Sequence, residues 1–573
     1  MKRKIVFVFV FCCFINAYSQ SDEKKIELIK ESAFVHINAN TFLVGEKLYY
    51  SIYIRNTQTK KESLLSKIAY VELIDEKDKR IIKHKIRLNS GRGYGSFMIP
   101  ELLLSGNYKL VAYTQLMKNF RKNNFFEEDV AVINPYKTVQ DDISSKNSLV
   151  VAKYNLSEEK SELINLKIEK SNYKSREKVV VNLEKINDQD NIENLSISIK
   201  KIDELDKLNK KLTSSKKYLK SLEIEKPVFV GNLEYLPELR GEIISGKLTY
   251  KNAVAPKKLV SLSIPSRNFL LKTVSTNENG EFNFNVNERY SEKNGFFQVL
   301  NDANLDYKIT IKKFEPIKLS NLNFSKFLIS SDYSRFILSR SIYNQINDSY
   351  KITEKENGYQ KDSLQLFFGS YTSKYKLKDY VRFSSLKTTF QELISNAGIL
   401  QKNGKDVFYI NSLNPYLRNQ TNVGVIIDGV LHQNYDPIIA YNAKNIKSIS
   451  IARTETKYML NGASYDGFIV FETLKGDFNT NQSTKSESIK KVNLFKPQDL
   501  NKYVNIEYLN ISDRKRIPDY RRQLFWEPIL KLDKQKNTFH FYTSDNKGTY
   551  EISVEGFSIK GKPVSIKKYF LIK

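Results

Sequence analysis

Histidine is the side chain that most often acts as a general base or a metal ligand near neutral pH. This chain contains four histidines: His36, His84, His432 and His540. No two of them form a His-x-x-x-His pair, the spacing that places two ring nitrogens on one face of a helix. His432 has Asp428 and Asp436 four residues to either side. Gly and Pro directly follow these acids and are typical of turns, so we expect no helix to gather the three side chains and predict no metal site.

Adjacent acidic residues could perform acid–base catalysis or hold a cation, and they occur at Glu127-Glu128-Asp129 and Asp141-Asp142. Neighbouring residues on a strand point to opposite faces, so we interpret these carboxylates as solvated. Asp428-Gly429 could be a catalytic acid at a strand end, but Asp-Gly is also the pair that a two-residue hairpin turn prefers. We predict a turn there, and no catalytic residue elsewhere.

Gly91, Gly93 and Gly95 form a cluster that could suggest phosphate binding. A phosphate loop needs a strand before it and a helix after it, whose backbone N–H groups face the anion. A strand-like segment follows these glycines instead, so close packing or a β-bulge is the expected role. The Gly-x-Ser-x-Gly turn of serine hydrolases is absent. We therefore expect no cofactor and no enzymatic activity.

Residues 1–19 have the pattern of a secretory signal peptide. Lys2, Arg3 and Lys4 precede an apolar run, and the small residues Ala17 and Ser19 precede an expected cleavage site. The apolar run is about half of the ~20 residues that a membrane-spanning helix needs. The two cysteines lie inside this segment, so the mature chain is expected to hold no disulfide or thiolate metal site. We predict an exported protein, in the periplasm or associated with the outer membrane.

The composition favours strands, since Tyr and Phe occur 35 and 34 times and Trp only once. The formal net charge is +28, and removing the three cations of the leader leaves 28 − 3 = +25. A basic surface can attract nucleic acid, anionic lipid or acidic polysaccharide. The lysines are spread along the chain, and an exported protein is not expected to bind nucleic acid. An envelope polysaccharide stays a candidate partner.

Short strands separated by turns predict tandem β-sandwiches. The first is expected at residues 21–136. Its opening recurs 131 positions later, because Phe42 to Leu48 aligns with Tyr173 to Val179 as an aromatic residue, a turn, Glu-Lys and an apolar strand. This repeat predicts a second, similar sandwich at 148–235. The Lys-rich stretch 202–221 is either a helix or a loop insertion.

The remaining sequence predicts four further parts. A compact sandwich is expected at 239–313, with an Asn-Gly hairpin at Asn279-Gly280. Residues 314–379 form a linker with a short helix at 334–346, where apolar residues have helical spacing. Residues 380–478 mix a helix with strands as a small α+β domain, and 479–573 form a polar linker and a C-terminal β segment. The predicted fold class is therefore mainly β.

Several stretches resemble known families. Residues 91–97 with Pro100, followed by 105–114, are similar to the macroglobulin-type domain of envelope proteins. Residues 239–310 resemble the carboxypeptidase-regulatory-like domain, a small β-sandwich common in outer-membrane proteins. Together with the following α+β part, this order resembles a family of exported Bacteroidetes proteins. The thioester of protease-trapping macroglobulins needs a cysteine, so that chemistry is not expected.

The α+β part resembles the plug domain of TonB-dependent outer-membrane receptors, through residues 423–430, 446–449 and 467–470. In this resemblance three residues are structural: Asp428, Gly429 and Gly467. A full receptor continues into many membrane strands, which the residues after Phe478 are too few to supply. Transport through this chain alone is therefore not expected.

Three functions remain open at this point. The first is a non-enzymatic binding or scaffold protein that docks to an outer-membrane transport or secretion assembly. The second is a surface adhesin or polysaccharide-binding protein, for which aromatic residues and positive charge would provide stacking and attraction. The third is an enzyme whose site is built from residues scattered along the sequence.

Overall fold

The computed structural model describes residues 30–120, 125–137, 156–187, 192, 194–207, 212–224, 234–266, 268–302, 306–319, 322–325, 327, 329–350, 365–481, 489–499, 503–508, 517–532 and 534–573. The predicted signal peptide and Asp141-Asp142 lie outside the described residues. The described part is mainly β, as the sequence predicts.

The first sandwich contains eight strands in the described residues. They are β1 (Glu31–Ile37), β2 (Thr41–Leu43), β3 (Lys47–Asn56), β4 (Ile68–Ile74), β5 (Arg80–Arg87), β6 (Arg92–Met98), β7 (Gly106–Tyr113) and β8 (Phe126–Ile133). One sheet has the order β1-β3-β6 and the other β2-β8-β7-β4-β5. Apolar and aromatic side chains such as Phe34, Ile52 and Val71 are buried between the sheets.

The glycine cluster lies on β6, where close packing explains it. A Cβ on Gly93 would lie 2.6 Å from Ile86 Cγ2, and a Cβ on Gly95 would overlap the Tyr50 hydroxyl. The prediction of close packing is confirmed. The interpretation of Glu127-Glu128-Asp129 as solvated acids is wrong for Glu128, which is buried and accepts the Thr213 N–H at 2.9 Å. Glu127 and Asp129 are two residues apart, so they share a face of β8 and both hold Lys109 Nζ, at 2.8 and 2.7 Å.

A second sandwich begins with β9 (Ile164–Ile168), β10 (Asn172–Tyr173), β11 (Lys178–Lys185) and β12 (Asn194–Lys201). Helix α1 (Ser215–Ile224) follows and overlaps the end of the stretch 202–221, which the sequence left open between a helix and a loop. The chain then leaves this sandwich for about three hundred residues.

The next unit is the sandwich predicted at 239–313. Its strands are β13 (Glu242–Tyr250), β14 (Ala253–Val254), β15 (Leu259–Ile264), β16 (Leu270–Ser275), β17 (Glu281–Val286), β18 (Asn294–Val299) and β19 (Tyr307–Ile311). The predicted turn joins β16 to β17, with Gly280 at φ 71°. Strands β14-β13-β17, with β19 also on β13, pack against the sheet that contains β16-β15-β18.

The helix expected at 334–346 is α2 (Ser334–Ser349). The plug-like unit follows, with β20 (Ser373–Lys376), α3 (Leu386–Leu393), β21 (Ala397–Lys402), β22 (Lys405–Ile410), β23 (Val423–Ile427), β24 (Val430–His432), α4 (Asp436–Ile439), β25 (Ile446–Leu460), β26 (Ala463–Thr473) and α5 (Phe478–Asn481). Its sheet has the order β20-β25-β26-β23-β24, with β21-β22 as a separate hairpin. Strand β20 starts before residue 380, so the predicted linker ends earlier than expected. Strand β27 (Ile489–Asn493) then returns to β18 of the preceding sandwich.

The last four strands are β28 (Gln523–Lys531), β29 (Lys536–Tyr542), β30 (Gly548–Phe557) and β31 (Pro563–Ile572). They complete the second sandwich, whose sheets are β9-β11-β29 and β10-β31-β30-β12-β28. Strands β9, β10, β11 and β12 correspond to β1, β2, β3 and β4 of the first sandwich, and β28, β29, β30 and β31 correspond to β5, β6, β7 and β8. With this correspondence, the strand order of both sheets is the same in the two sandwiches. The boundaries drawn at 148–235 and 479–573 therefore differ from the structure. Strands β9 to β12 alone would leave Ile197 and Val181 without the opposing Val554 and Phe541 of their core.

The repeat found in the sequence has the same geometry in both sandwiches. Gly45 and Arg176, 131 residues apart, both have positive φ, at 83° and 59°. The next residue in each copy is a glutamate whose carboxylate accepts a backbone N–H three residues earlier. These bonds are Leu43 N–H to Glu46 at 2.9 Å and Lys174 N–H to Glu177 at 2.7 Å.

The two sandwiches meet at a buried interface with specific polar contacts. The Tyr53 hydroxyl donates to Ser196 Oγ at 2.8 Å, and His36 Nδ1 lies 2.7 Å from the same oxygen. The Arg55 guanidinium lies 3.7 Å from the centre of the Phe557 ring. Because buried polar groups need matched partners, these contacts fix how the sandwiches are placed. The cleft described below lies at their junction.

Candidate functional site

Asp428 and Gly429 form the predicted hairpin turn. Their φ angles are 47° and 78°, and they join β23 to β24 with Ile427 opposite Val430. Positive φ at both central residues is the geometry that Asp-Gly favours. The Asp428 carboxylate accepts from Thr473 N–H at 2.8 Å, Thr473 Oγ1 at 2.7 Å and Phe478 N–H at 3.2 Å. These bonds fasten the turn to the end of β26, which is a structural role.

The two glycines of the plug-like motif allow close approach. A Cβ on Gly429 would lie 2.9 Å from Pro265 Cα, in the loop between β15 and β16 of the preceding sandwich. A Cβ on Gly467 would lie 2.7 Å from the Ala452 carbonyl oxygen on the neighbouring strand. Both glycines therefore serve packing in this structure.

The histidines do not assemble a site. His432 Nε2 lies 2.8 Å from Asn479 Oδ1, and burial lowers the pKa of its ring. Burial also lowers the pKa of His36 to about 3, which keeps that ring neutral. His84 Nδ1 lies 2.7 Å from the Tyr50 hydroxyl, so it too is part of a packed interior. Across the part of the chain that the structure describes, no three acidic, histidine or cysteine side chains form a metal-binding group.

A cleft that the sequence did not indicate lies between the two sandwiches and helix α2. Its volume is about 480 Å³, within the range of sites for small organic ligands. Residues from the β1–β3 region, from the end of β12, from α2 and from the segment before β28 line it. The charged side chains in its lining are Glu46, Lys47, Lys200, Arg340, Asp348, Arg521 and Arg522.

Arg340 anchors helix α2 to the turn before β3. Its Nε donates to Glu46 Oε1 at 2.7 Å, and its Nη2 donates to Glu46 Oε2 at 2.6 Å and to the Thr41 carbonyl at 2.9 Å. Such a bidentate, charge-assisted pair is strong. Burial alone would raise the pKa of Glu46, but the Arg340 guanidinium lowers it to about 2. Glu46 therefore stays ionised.

Acids behind the lining hold two further arginines in place. Arg522 Nη2 donates to Asp206 at 2.8 Å, and Arg522 Nη1 donates to Asp203. Arg521 Nε donates to Asp519 Oδ1 at 2.8 Å, and Arg521 Nη2 donates to Asp519 Oδ2 at 2.8 Å. Asp203, Asp206 and Asp519 are not among the residues that line the cleft.

Two donors of the lining remain without full hydrogen bonding. Among the residues that the structure describes, no acceptor lies within hydrogen-bonding distance of the buried Arg521 Nη1. The buried Lys200 Nζ lies 4.0 Å from Asp206, beyond hydrogen-bonding distance. Arg521 Nη1 is enclosed by protein atoms, whereas the Lys200 ammonium carries three donors and can bind a further acceptor in the cleft.

Aromatic rings and amides form the rest of the wall. The Tyr49 and Tyr503 rings meet edge to face, with their centres 5.6 Å apart, and the Tyr503 hydroxyl donates to the Gln523 carbonyl. Trp526 lies behind Tyr49 at 5.9 Å between ring centres. The lining amide side chains are Asn38, Asn344, Asn347 and Gln523.

Sequence reasoning missed this cleft because its parts are far apart. Glu46, Lys200, Arg340 and Arg522 lie in four segments separated by more than a hundred residues each. The adjacent pair Arg521-Arg522 and an arginine in the middle of α2 were the only local signals, and basic residues are common throughout this chain.

Among the described residues, no helix is both long and apolar enough to cross a membrane.

No protein-family model matches the chain, and no curated protein matches it. Solved structures that it resembles include the Escherichia coli alpha-2-macroglobulin activated by porcine elastase, at 7% identity and a TM-score of 0.24, covering 95% of this chain and 44% of that chain. The Salmonella alpha-2-macroglobulin reacted with methylamine matches at 8% identity and a TM-score of 0.24, over 95% and 39%. The Escherichia coli adhesin FdeC matches at 7% identity and a TM-score of 0.14, over 30% and 46%. The chain spans less than half the length of these proteins. With TM-scores below 0.5 these similarities carry no argument, and the sandwich fold rests on the strand order.

Proposed function

We propose that this chain is a non-enzymatic binding or scaffold protein of the bacterial cell envelope, and that it docks to an outer-membrane transport or secretion assembly. The leader-like pattern of residues 1–19 and the resemblance to exported multidomain proteins support this location. The observation that carries the proposal is the insertion of the plug-like unit between β12 and β28 of one sandwich. The described segments on either side of the unit are anchored, since α2 bonds Glu46 through Arg340 and β27 pairs with β18, and this suits presentation to a partner.

The plug-like unit carries an exposed apolar loop that suits docking. Between β22 and β23, the Tyr416 side chain is 92% exposed, with Leu413 and Leu417 partly exposed beside it. The Ser412 hydroxyl donates to the Thr454 carbonyl at 2.7 Å and fixes the base of this loop to β25. Exposed apolar groups on a held loop are typical of protein-binding surfaces.

The test is co-purification from native membranes. We expect the tagged full chain to be recovered from the envelope fraction with a defined membrane protein complex. The variant Tyr416→Asp should lower the recovered complex at least about fivefold, because a charge would be desolvated in an apolar contact. The matched control is Leu102→Asp, since Leu102 is 80% exposed on the first sandwich.

Recovery of the chain from the cytosol, or its recovery alone from the envelope, would contradict the proposal. Equal loss in both variants would remove the role of the plug-like loop.

A second function, binding of an acidic envelope polysaccharide, is favoured by the cleft between the sandwiches. Cations, tyrosines and amides meet there around one volume. It is the alternative that the sequence leaves open.

A further inference from the structure

We propose that the cleft between the two sandwiches and helix α2 binds an acidic sugar, meaning a saccharide unit that carries a carboxylate. This inference rests on the second proposed function, polysaccharide binding, and does not depend on docking to a membrane assembly. An unfilled buried donor, Lys200, and the character of the wall support it.

The arginines of the cleft are already paired. Five cations and two acids, Glu46 and Asp348, line it. Arg340 bonds Glu46, and Asp519 and Asp206 bond Arg521 and Arg522 from behind the lining. Among the described residues no acid lies within hydrogen-bonding distance of the buried Lys200 Nζ, so this ammonium is the group that an anionic ligand would meet.

An unfilled donor defines where a carboxylate would sit. Lys200 lines the cleft, and its Nζ lies 4.0 Å from Asp206, beyond hydrogen-bonding distance. A buried donor without an acceptor is costly, and a carboxylate oxygen is the strongest acceptor that could satisfy it.

The wall suits a sugar ring better than a purely apolar acid. Side-chain amides both donate and accept, so they match hydroxyl groups, and four of them line the cleft. Tyrosine rings offer apolar faces on which the C–H groups of a pyranose can pack, and Tyr49, Tyr350 and Tyr503 line the same volume. This combination points to a saccharide that carries an acid group.

A purely structural role explains only some of the charged residues that line the cleft. The Arg340–Glu46 and Arg522–Asp206 pairs join elements and would be needed without any ligand. They do not account for a volume of about 480 Å³ that is lined by Lys200, four side-chain amides and three tyrosines.

The fluorescence of the single tryptophan can report ligand binding in the cleft. Trp526 is buried, and its ring lies 5.9 Å from Tyr49, which lines the cleft. Titration of the full chain with a trisaccharide of galacturonic acid should change the Trp526 fluorescence in a saturable way. The neutral trisaccharide of galactose with the same linkage should bind at least about tenfold more weakly, because it lacks the charged acceptor.

Two variants locate the site. Lys200→Met removes the ammonium and leaves the Arg522–Asp206 ion pair in place. It should weaken binding of the acidic trisaccharide at least about tenfold. Tyr350→Ala removes a half-exposed ring at the end of α2 and should weaken binding without affecting folding. The matched control is Lys201→Met, because Lys201 points to the opposite face of β12, where it bonds Asn546.

Equal binding of the acidic and neutral trisaccharides, or loss of binding in Lys201→Met as great as in Lys200→Met, would overturn the proposal. Binding of an acidic tripeptide in preference to the sugar would replace the saccharide with a peptide and also overturn it. Circular dichroism of each variant shows whether it is folded, and Tyr350→Ala keeps the test decisive if Lys200→Met is not. If the chain does not bind the acidic trisaccharide selectively but still co-purifies with a membrane complex, the cleft is not a sugar site and the docking proposal stands.

Discussion

Glu46 is almost enclosed at the place where helix α2 meets the first sandwich, and its charge depends on Arg340. The guanidinium holds both carboxylate oxygens, and Asn344 Nδ2 donates to one of them at 3.0 Å. The equivalent residue of the second sandwich, Glu177, makes the same bond to the backbone but pairs with the exposed Lys170. The same turn is therefore used once as a buried anchor and once as a surface feature.

This difference predicts the effect of Glu46→Gln. Arg340 lowers the pKa of Glu46 from about 4.5 to about 2, so the folded state binds its proton less readily than the unfolded chain. The corresponding stability is present above about pH 4.5 and is lost as the pH falls towards 2. We expect Glu46→Gln to lower the free energy of unfolding by roughly 3 kcal/mol at pH 7 and by about half as much or less at pH 3. Urea denaturation followed by Trp526 fluorescence measures both.

Glu177→Gln is the matched control. Its partner Lys170 is largely exposed, and exposed ion pairs contribute less than about 1 kcal/mol. A loss in Glu46→Gln that is the same at pH 3 and pH 7 would show that the ionised pair is not the source of the stability.

At the scale of elements, two glycines of the first sandwich, one in the turn before β3 and one on β6, are needed for different reasons. Gly45 has φ 83°, and a Cβ there would meet no atom within 4 Å. Gly93 has no positive φ, but a Cβ there would meet Ile86, Arg87 and Leu88 in the core of the first sandwich. Gly45 is therefore needed for the backbone conformation of the turn, and Gly93 is needed because the core leaves no room for a side chain.

We therefore expect the two alanine substitutions to differ in size. Gly45→Ala should cost about 1 kcal/mol, the strain of a left-handed residue with a side chain. Gly93→Ala should cost about 2–3 kcal/mol, because the core must move to admit a methyl group. Thermal unfolding of both variants provides the comparison. Equal costs, or a larger cost for Gly45→Ala, would contradict this assignment of roles.

Local patterns in the sequence were sufficient for some elements. Asn279-Gly280 and Asp428-Gly429 predict turns because few other residue pairs adopt their geometry. The recurrence of Phe42 to Leu48 at Tyr173 predicts a second sandwich because the turn chemistry itself is repeated. Such signals are short-range, and they require no knowledge of which strands pair.

Long-range pairing was not predictable in this way. Strand β12 lies between β28 and β30, whose residues come more than three hundred positions later. An alternating pattern shows that a strand has a buried face but not which strand covers it. The cleft was missed for the same reason, since Lys200 and Arg522 meet only after this pairing forms.

The whole molecule is a frame of two like sandwiches, the second of which is interrupted. Insertions are tolerated at loops whose ends lie close together, and here the loop between the fourth and fifth strands carries a further sandwich, α2 and the plug-like unit. The inserted part returns to the frame at several points. Arg340 bonds Glu46 of the first sandwich, and the Tyr343 ring stacks on Tyr520 at 4.3 Å.

Removing the final strands therefore tests the architecture. A chain ending at residue 499 lacks β28 to β31, which supply half of the second core, including Val554 and Phe541. We expect β9 to β12 to lose protection in hydrogen exchange, because Ile197 and Val181 would face water instead of a second sheet. The sandwich at 239–313 has its own core and should stay protected, which serves as the internal control. Retained protection across β9 to β12 would mean that these strands fold without the C-terminal segment, and the interrupted sandwich would then be two separate units.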